Sequence, residues 1–143
     1  MSVMKRSGRC MCGAVSYKIE GDPVVTAQCH CEECRRLSGT GHTVGAMFRA
    51  DQVIISGKLG EYVYTSANSS QVTKAFCSGC GSPIYGRNTK APDHMTLPLG
   101  SMDNADDLEI QVVIFDRDKP HWDALPETAA VFETQPDWKP EKV

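Results

Sequence analysis

Apolar and polar residues alternate with a period of two over much of this chain. From Ala14 to Glu20, Val15, Tyr17 and Ile19 alternate with Ser16, Lys18 and Glu20, the pattern of a half-buried strand. Gly21-Asp-Pro23 predicts a turn, and Val24 to Gln28 predicts a second strand that delivers the chain into Cys29. Glu32 to Leu37 suits one or two helical turns. Ser38-Gly-Thr-Gly41 would end them, because glycine readily takes a positive φ. Thr43 to Phe48, Val53 to Ser56 and Glu61 to Thr65 read as strands, the last two separated by the turn Gly57-Lys-Leu-Gly60. Ser66 to Ser70 is a polar loop. Gln71 to Phe76 is a strand leading into Cys77, and Ser82 to Gly86 continues beyond it. Met95, Leu97 and Leu99 alternate in a further strand, Gly100 to Asp107 is an acidic loop, and Ile110 to Phe115 is an apolar strand. Met1 to Gly8 is polar and expected to fray. From Asp116 onward, Pro120, Pro126, Pro136 and Pro140 argue against long regular structure. There is no repeat, no low-complexity tract and no long amphipathic helix. Many short strands with turn signals between them predict an all-β domain with little helix.

The 143 residues suggest one domain, residues 1–143, large enough to bury a core that metal would supplement rather than replace. A formal net charge of −3 gives no basic footprint, so nucleic acid is not an expected partner. No apolar run approaches the ~20 residues that span a bilayer, so no membrane is expected. The residues before Gly8 lack an apolar signal segment, which makes a cytoplasmic, reducing setting the expectation. In that setting clustered cysteines are more often metal ligands than disulfides.

The cysteines change the picture most. Seven of them fall into three groups: Cys10 and Cys12; Cys29, Cys31 and Cys34; and Cys77 and Cys80. An odd number cannot all pair as disulfides, whereas four plus three can serve two metal ions. Four thiolates close a tetrahedral zinc site, and three leave one position open to water or substrate. If the segment is extended, Cys10 and Cys12 leave one face of a strand. Phe76-Cys-Ser-Gly-Cys-Gly81 has the form of a zinc knuckle, its glycines allowing the tight turn. A Cys77–Cys80 disulfide with two unrelated thiols is the plainer alternative. A redox Cys-x-x-Cys lacks the βαβ surroundings it needs.

Cys29, Cys31 and Cys34 sit where a strand would turn into a short helix, a place from which three sulfurs can aim at one point. His30 is a rival fourth ligand, but between two cysteines of an extended stretch it should point to the opposite face and orient its neighbours instead. The three cysteines could equally recruit an unseen fourth donor and staple the fold. Arg35 and Arg36 are candidates to offset thiolate charge or hold a substrate carboxylate, against the commoner role of solvated surface arginines.

Three stretches carry a family resemblance: Gly8-Arg-Cys-Met-Cys-Gly-Ala-Val-Ser-Tyr17, Cys29-His-Cys-Glu-Glu-Cys-Arg-Arg-Leu-Ser-Gly39 and Phe76-Cys-Ser-Gly-Cys-Gly-Ser-Pro-Ile-Tyr85. Weaker echoes are Leu99-Gly-Ser-Met-Asp103 and Lys119-Pro-His-Trp122. With them the chain resembles the glutathione-dependent formaldehyde-activating enzyme family, which includes the centromere protein V group. The resemblance covers a core of residues 8–122 and leaves a less regular C-terminal tail. It implies a β-tent of short antiparallel sheets stapled by zinc. It implies a structural zinc on Cys10, Cys12, Cys77 and Cys80, and a catalytic zinc on Cys29, Cys31 and Cys34. The implied activity is that of a carbon–sulfur lyase, which forms or cleaves the adduct of a small-molecule thiol, glutathione, with formaldehyde. The rival expectation is a non-catalytic zinc module that binds a protein or thiol ligand. Oligomeric state is not legible.

Overall fold

A computed structural model describes residues 4–136; residues 1–3 and 137–143, Pro140 among them, lie outside the described residues. The protein is mostly β, with two sheets and a single α-helix among the described residues. The smaller sheet is antiparallel, in the order β1 (Lys5–Arg9), β2 (Ser16–Glu20), β5 (Val53–Ser56). The larger sheet is built from β3 (Val25–Cys29), β4 (Thr43–Arg49), β6 (Leu59–Thr65), β7 (Gln71–Cys77), β8 (Pro83–Asn88), β9 (His94–Pro98), β10 (Val112–Ile114) and β11 (Ala130–Val131). Its order is β11-β10-β3-β4-β9-β8-β7-β6. All its pairings are antiparallel except those of β10, which runs parallel to both β3 and β11. The helix α1 (Glu32–Ser38) connects β3 to β4 and ends at Gly39, which takes φ 72° and donates its N–H to the Arg35 carbonyl.

The alternation in β2 is realised as expected: Tyr17 and Ile19 are buried while Ser16, Lys18 and Glu20 face water, although the strand opens at Ser16 and not at Ala14. Those side chains meet Ala46, Phe48, Ile84 and Leu97 of the larger sheet in one core between the sheets. Four departures from the sequence pattern have physical causes. Of the segment Met1 to Gly8, expected to fray, residues 1–3 lie outside the described residues, and residues 5–8 belong to β1, which pairs with β2 over five residue pairs. Its Arg6 is buried and grips Asp107 through two bonds of 2.8 and 2.6 Å, a contact between segments far apart in sequence. The apolar run Ile110 to Phe115 forms a strand only over Val112–Ile114, because Phe115 turns to a left-handed φ of 57° and starts a short 3-10 turn. Leu99, expected at the end of a strand, opens another 3-10 turn, Leu99–Ser101. In the proline-rich tail, Ala130–Val131 adds a two-residue edge strand to β10.

Phe48 is fully buried at the centre of this core. Phe48→Ala is expected to cost about 3–5 kcal/mol, as large-to-small changes of a buried aromatic do. Urea denaturation checks this, with a lower midpoint at unchanged slope as the expected result.

Candidate metal and thiol site

Both cysteine clusters converge in space. The sulfurs of Cys10, Cys12, Cys77 and Cys80 lie within 4.8 Å of one another, and so, as a separate group, do those of Cys29, Cys31 and Cys34. All seven are free thiols. The Cys10–Cys12 and Cys12–Cys77 sulfur separations are 3.6 and 3.8 Å, far beyond a disulfide bond. Four thiolates at ~2.3 Å from a tetrahedral zinc stand about 3.8 Å apart, so this donor set fits such an ion without rearrangement.

The four-cysteine cluster is assembled differently from the expectation. Cys10 and Cys12 do not share a strand face, because β1 stops at Arg9 and residues 11–15 turn. Gly13, at φ 82°, allows that turn and donates its N–H to the Cys10 carbonyl. The knuckle works as its glycines suggested. The N–H groups of Gly79 and Cys80 both donate to the Cys77 sulfur, at 3.3 and 3.4 Å, and Val15 N–H donates to Cys10 at 3.3 Å. At Cys10 burial opposes the thiolate form, and the Val15 N–H helps bring the thiol below its ordinary range. The Ser82 hydroxyl and N–H pull the Cys80 thiol down to about 5.

At the other cluster, β3 ends on Cys29 and Cys31 caps α1, its sulfur accepting the Cys34 N–H at 3.4 Å. Cys34 is buried in the first turn. Hydrogen bonds from Cys29 and then Cys31 pull the Cys34 thiol down to about 2 against the opposing effect of burial, with further help from the Lys74 charge and the Thr43 hydroxyl. The same bonds to Cys31 and Cys34, together with burial, drive Cys29 strongly upward. In effect one thiolate accepts hydrogen bonds from two neighbouring thiols. Three anionic sulfurs at this spacing repel one another unless a cation sits among them. The donor set therefore suits a metal ion.

His30 lies between these cysteines in sequence but turns away from them. It is fully buried. Its Nδ1–H donates to the Gly41 carbonyl at 3.0 Å and lies 3.1 Å from Asp123 Oδ2; its Nε2 receives the Gln28 amide at 3.0 Å. Carbonyl and carboxylate can only accept, so the proton sits on Nδ1 and both ring nitrogens are occupied. His42 donates to the same Asp123 oxygen at 2.7 Å. His30, His42 and Asp123 thus join β3, β4 and the loop after Lys119 behind the three-cysteine cluster. Arg36 pairs with Glu32 at 2.8 Å on the exposed face of α1, and Arg35 is half-buried on the same helix.

The sequence reading did not single out Thr43, Tyr64 and Lys74. Thr43 is paired with Cys29, and its hydroxyl reaches Cys34. Tyr64, on β6, is pushed upward by burial and then by the negative charge of Cys34, Cys31, Glu33 and Cys29. Pairing from β6 through β7, β8, β9 and β4 to β3 places Tyr64, Lys74 and Cys29 on one face of the sheet. In β6, Tyr62 and Tyr64 flank the apolar Val63, a run that carries no chemistry until the register is known.

The model of the glutathione-dependent formaldehyde-activating enzyme family matches residues 5–118, which include all seven cysteines. The chain belongs to this family. Its fold is also that of a Rhodobacter sphaeroides protein of known crystal structure, with a TM-score of 0.58, 20% sequence identity, and coverage of 73% of this chain and 96% of that one. Among curated proteins none matches in sequence. Family membership ties the chain to glutathione- and formaldehyde-related activity, and both cysteine groups could hold a metal ion. Among the described residues no helix is long and apolar enough to cross a membrane.

Cys77 is the buried member of the knuckle and accepts two backbone bonds. Cys77→Ser is expected to remove about one bound metal ion per chain and to lower Tm by more than ~10 °C, since a structural site contributes its binding energy to folding. Atomic emission and a thermal melt followed by circular dichroism check the two parts.

Proposed function

We propose that the protein is a zinc-dependent carbon–sulfur lyase that forms and cleaves the adduct of a small-molecule thiol, glutathione in the first instance, with formaldehyde. The observation that carries the reading is the unequal pair of thiol clusters in a chain of this family: four cysteines complete a tetrahedron, whereas three leave one position for a ligand. In this reading Cys10, Cys12, Cys77 and Cys80 hold a structural zinc, and Cys29, Cys31 and Cys34 hold the catalytic one. Zinc there would act as a Lewis acid and favour the deprotonated form of a bound thiol.

The reaction balances simply. The thiol gives up its proton, its sulfur forms a bond to the carbonyl carbon, the C=O π pair moves to oxygen, and that oxygen takes up a proton. Cleavage is the reverse. The chain supplies the place for this exchange. Cys29, Cys31 and Cys34 fix where the reacting sulfur can sit, because their own sulfurs are held by the strand end, the helix cap and Thr43. His30 positions Cys29 and Cys31 from behind, since its ring is fixed by Gln28, Gly41 and Asp123. Arg36 is tied to Glu32, so a role in holding substrate would fall to Arg35 before Arg36.

Cys31→Ser tests the assignment. The expected variant is folded, binds about one metal ion fewer per chain, and forms the adduct only at the uncatalysed rate, as read by NMR exchange between formaldehyde and its hydroxymethyl thioether. Undiminished turnover in that variant would exclude this cluster as the catalyst. A wild type that holds two ions but does not accelerate the exchange would instead be a non-catalytic zinc module.

A further inference from the structure

The sheet face that carries Cys29 also carries a row of residues running away from it. Pairing sets Tyr62 beside Lys74, Lys74 beside Gly86, Gly86 beside Thr96 and Thr96 beside Met47. Directly paired residues point to the same side of a sheet. Along β3 and β4 that side continues in steps of two, from Val25 and Met47 through Ala27 and Gly45 to Cys29 and Thr43. Lys74 and the three-cysteine cluster therefore share one face. Gly86 has no side chain, and Lys74 fills the space above it: a Cβ on Gly86 would lie 3.0 Å from Lys74 Nζ. The ammonium leans from β7 over β8, in the direction of β4 and the cysteines.

This lysine is half-buried, and among the ion pairs of the described residues none includes it. An amphipathic stem laid on a sheet with its head lacking a carboxylate leaves a cation available to a ligand.

We propose that Lys74 is a specificity-determining residue: it binds a carboxylate of the thiol whose sulfur sits at Cys29, Cys31 and Cys34, so the site selects acidic thiols over neutral ones. The proposal rests on the reading of this cluster as a thiol-adduct site. Two anchors of different chemistry, a metal-bound sulfur and an ion pair, would hold a flexible thiol in one orientation. Of the two helix arginines suggested by sequence, Arg36 is the poorer candidate, because it already has a carboxylate.

The test is calorimetric titration of the metal-loaded protein with glutathione and with its diethyl ester, which keeps the thiol and removes the carboxylates. Wild type, Lys74→Met and Lys74→Arg are compared after each is shown to hold the same number of metal ions. The wild type is expected to prefer glutathione over the diester by about tenfold or more, the range of a charge-assisted bond. Lys74→Met should lose that preference by weakening glutathione alone, and Lys74→Arg should retain most of it. Equal affinity of wild type and Lys74→Met for glutathione would overturn the proposal and leave the thiol-site reading intact. Parallel weakening of both ligands would also overturn it, marking Lys74 as structural. A wild type that binds neither thiol would overturn both.

Discussion

Ionised sulfurs repel one another, and this fold gathers seven cysteine thiols at two points. Everything else in the molecule has to be compatible with that. The four-cysteine cluster joins the turn after β1 to the turn between β7 and β8, which belong to different sheets. The core between the sheets and the cluster therefore support one another: packing of Tyr17 and Ile19 against Phe48 and Leu97 holds the sheets together, and a cation among the sulfurs would hold the same two segments at their ends. The three-cysteine cluster makes a more local demand. A strand end, a helix cap and a buried first-turn position must deliver three sulfurs within 4.8 Å, and the short helix α1 does this in seven residues. A cation among the sulfurs would convert the repulsion of their ionised forms into a staple.

The parts of the site that were legible in the sequence are those carried by spacing. Cys77-x-x-Cys80 and Cys29-x-Cys-x-x-Cys34 each describe a local geometry, so the two groups could be read before the fold was known. The end of α1 was legible at Gly39 for the same reason. Where the chemistry depended on pairing, the sequence was silent. β1 reads as a polar terminus because Arg6 looks exposed until Asp107, far along the chain, is seen to hold it. Cys10 and Cys12 read as strand neighbours because their spacing of two fits an extended segment equally well, and only the turn at Gly13 decides otherwise. Lys74 and Tyr64 become interesting only through the register of β6, β7 and β8.

His30 illustrates how one residue can serve a reactive site without touching it. Alternation along β3 sends Cys29 to one face and His30 to the other. There the imidazole meets His42, 5.2 Å away between ring centroids, because the pairing of Cys29 with Thr43 brings the next residues of both strands together. Asp123 accepts from His42 and lies 3.1 Å from the Nδ1 of His30, and a Cβ at Gly41 would collide with its carboxylate. Buried polar groups of this kind stabilise only when every member is satisfied. Both His30 nitrogens are, which fixes the strand end from which Cys29 and Cys31 project.

Cys29 and Cys31 remain half-exposed on this face. A half-exposed site removes little apolar area of a ligand from water, so enclosure contributes less to selection. Directed contacts carry more of it: sulfur to an ion that the cysteines could hold, and charge to charge. A lysine without a carboxylate partner on the same face, over a glycine that leaves room for it, is a contact of that kind. Filling the Gly86 position with a side chain would force the ammonium aside while leaving all seven cysteines in place, which separates the recognition of charge from the binding of metal.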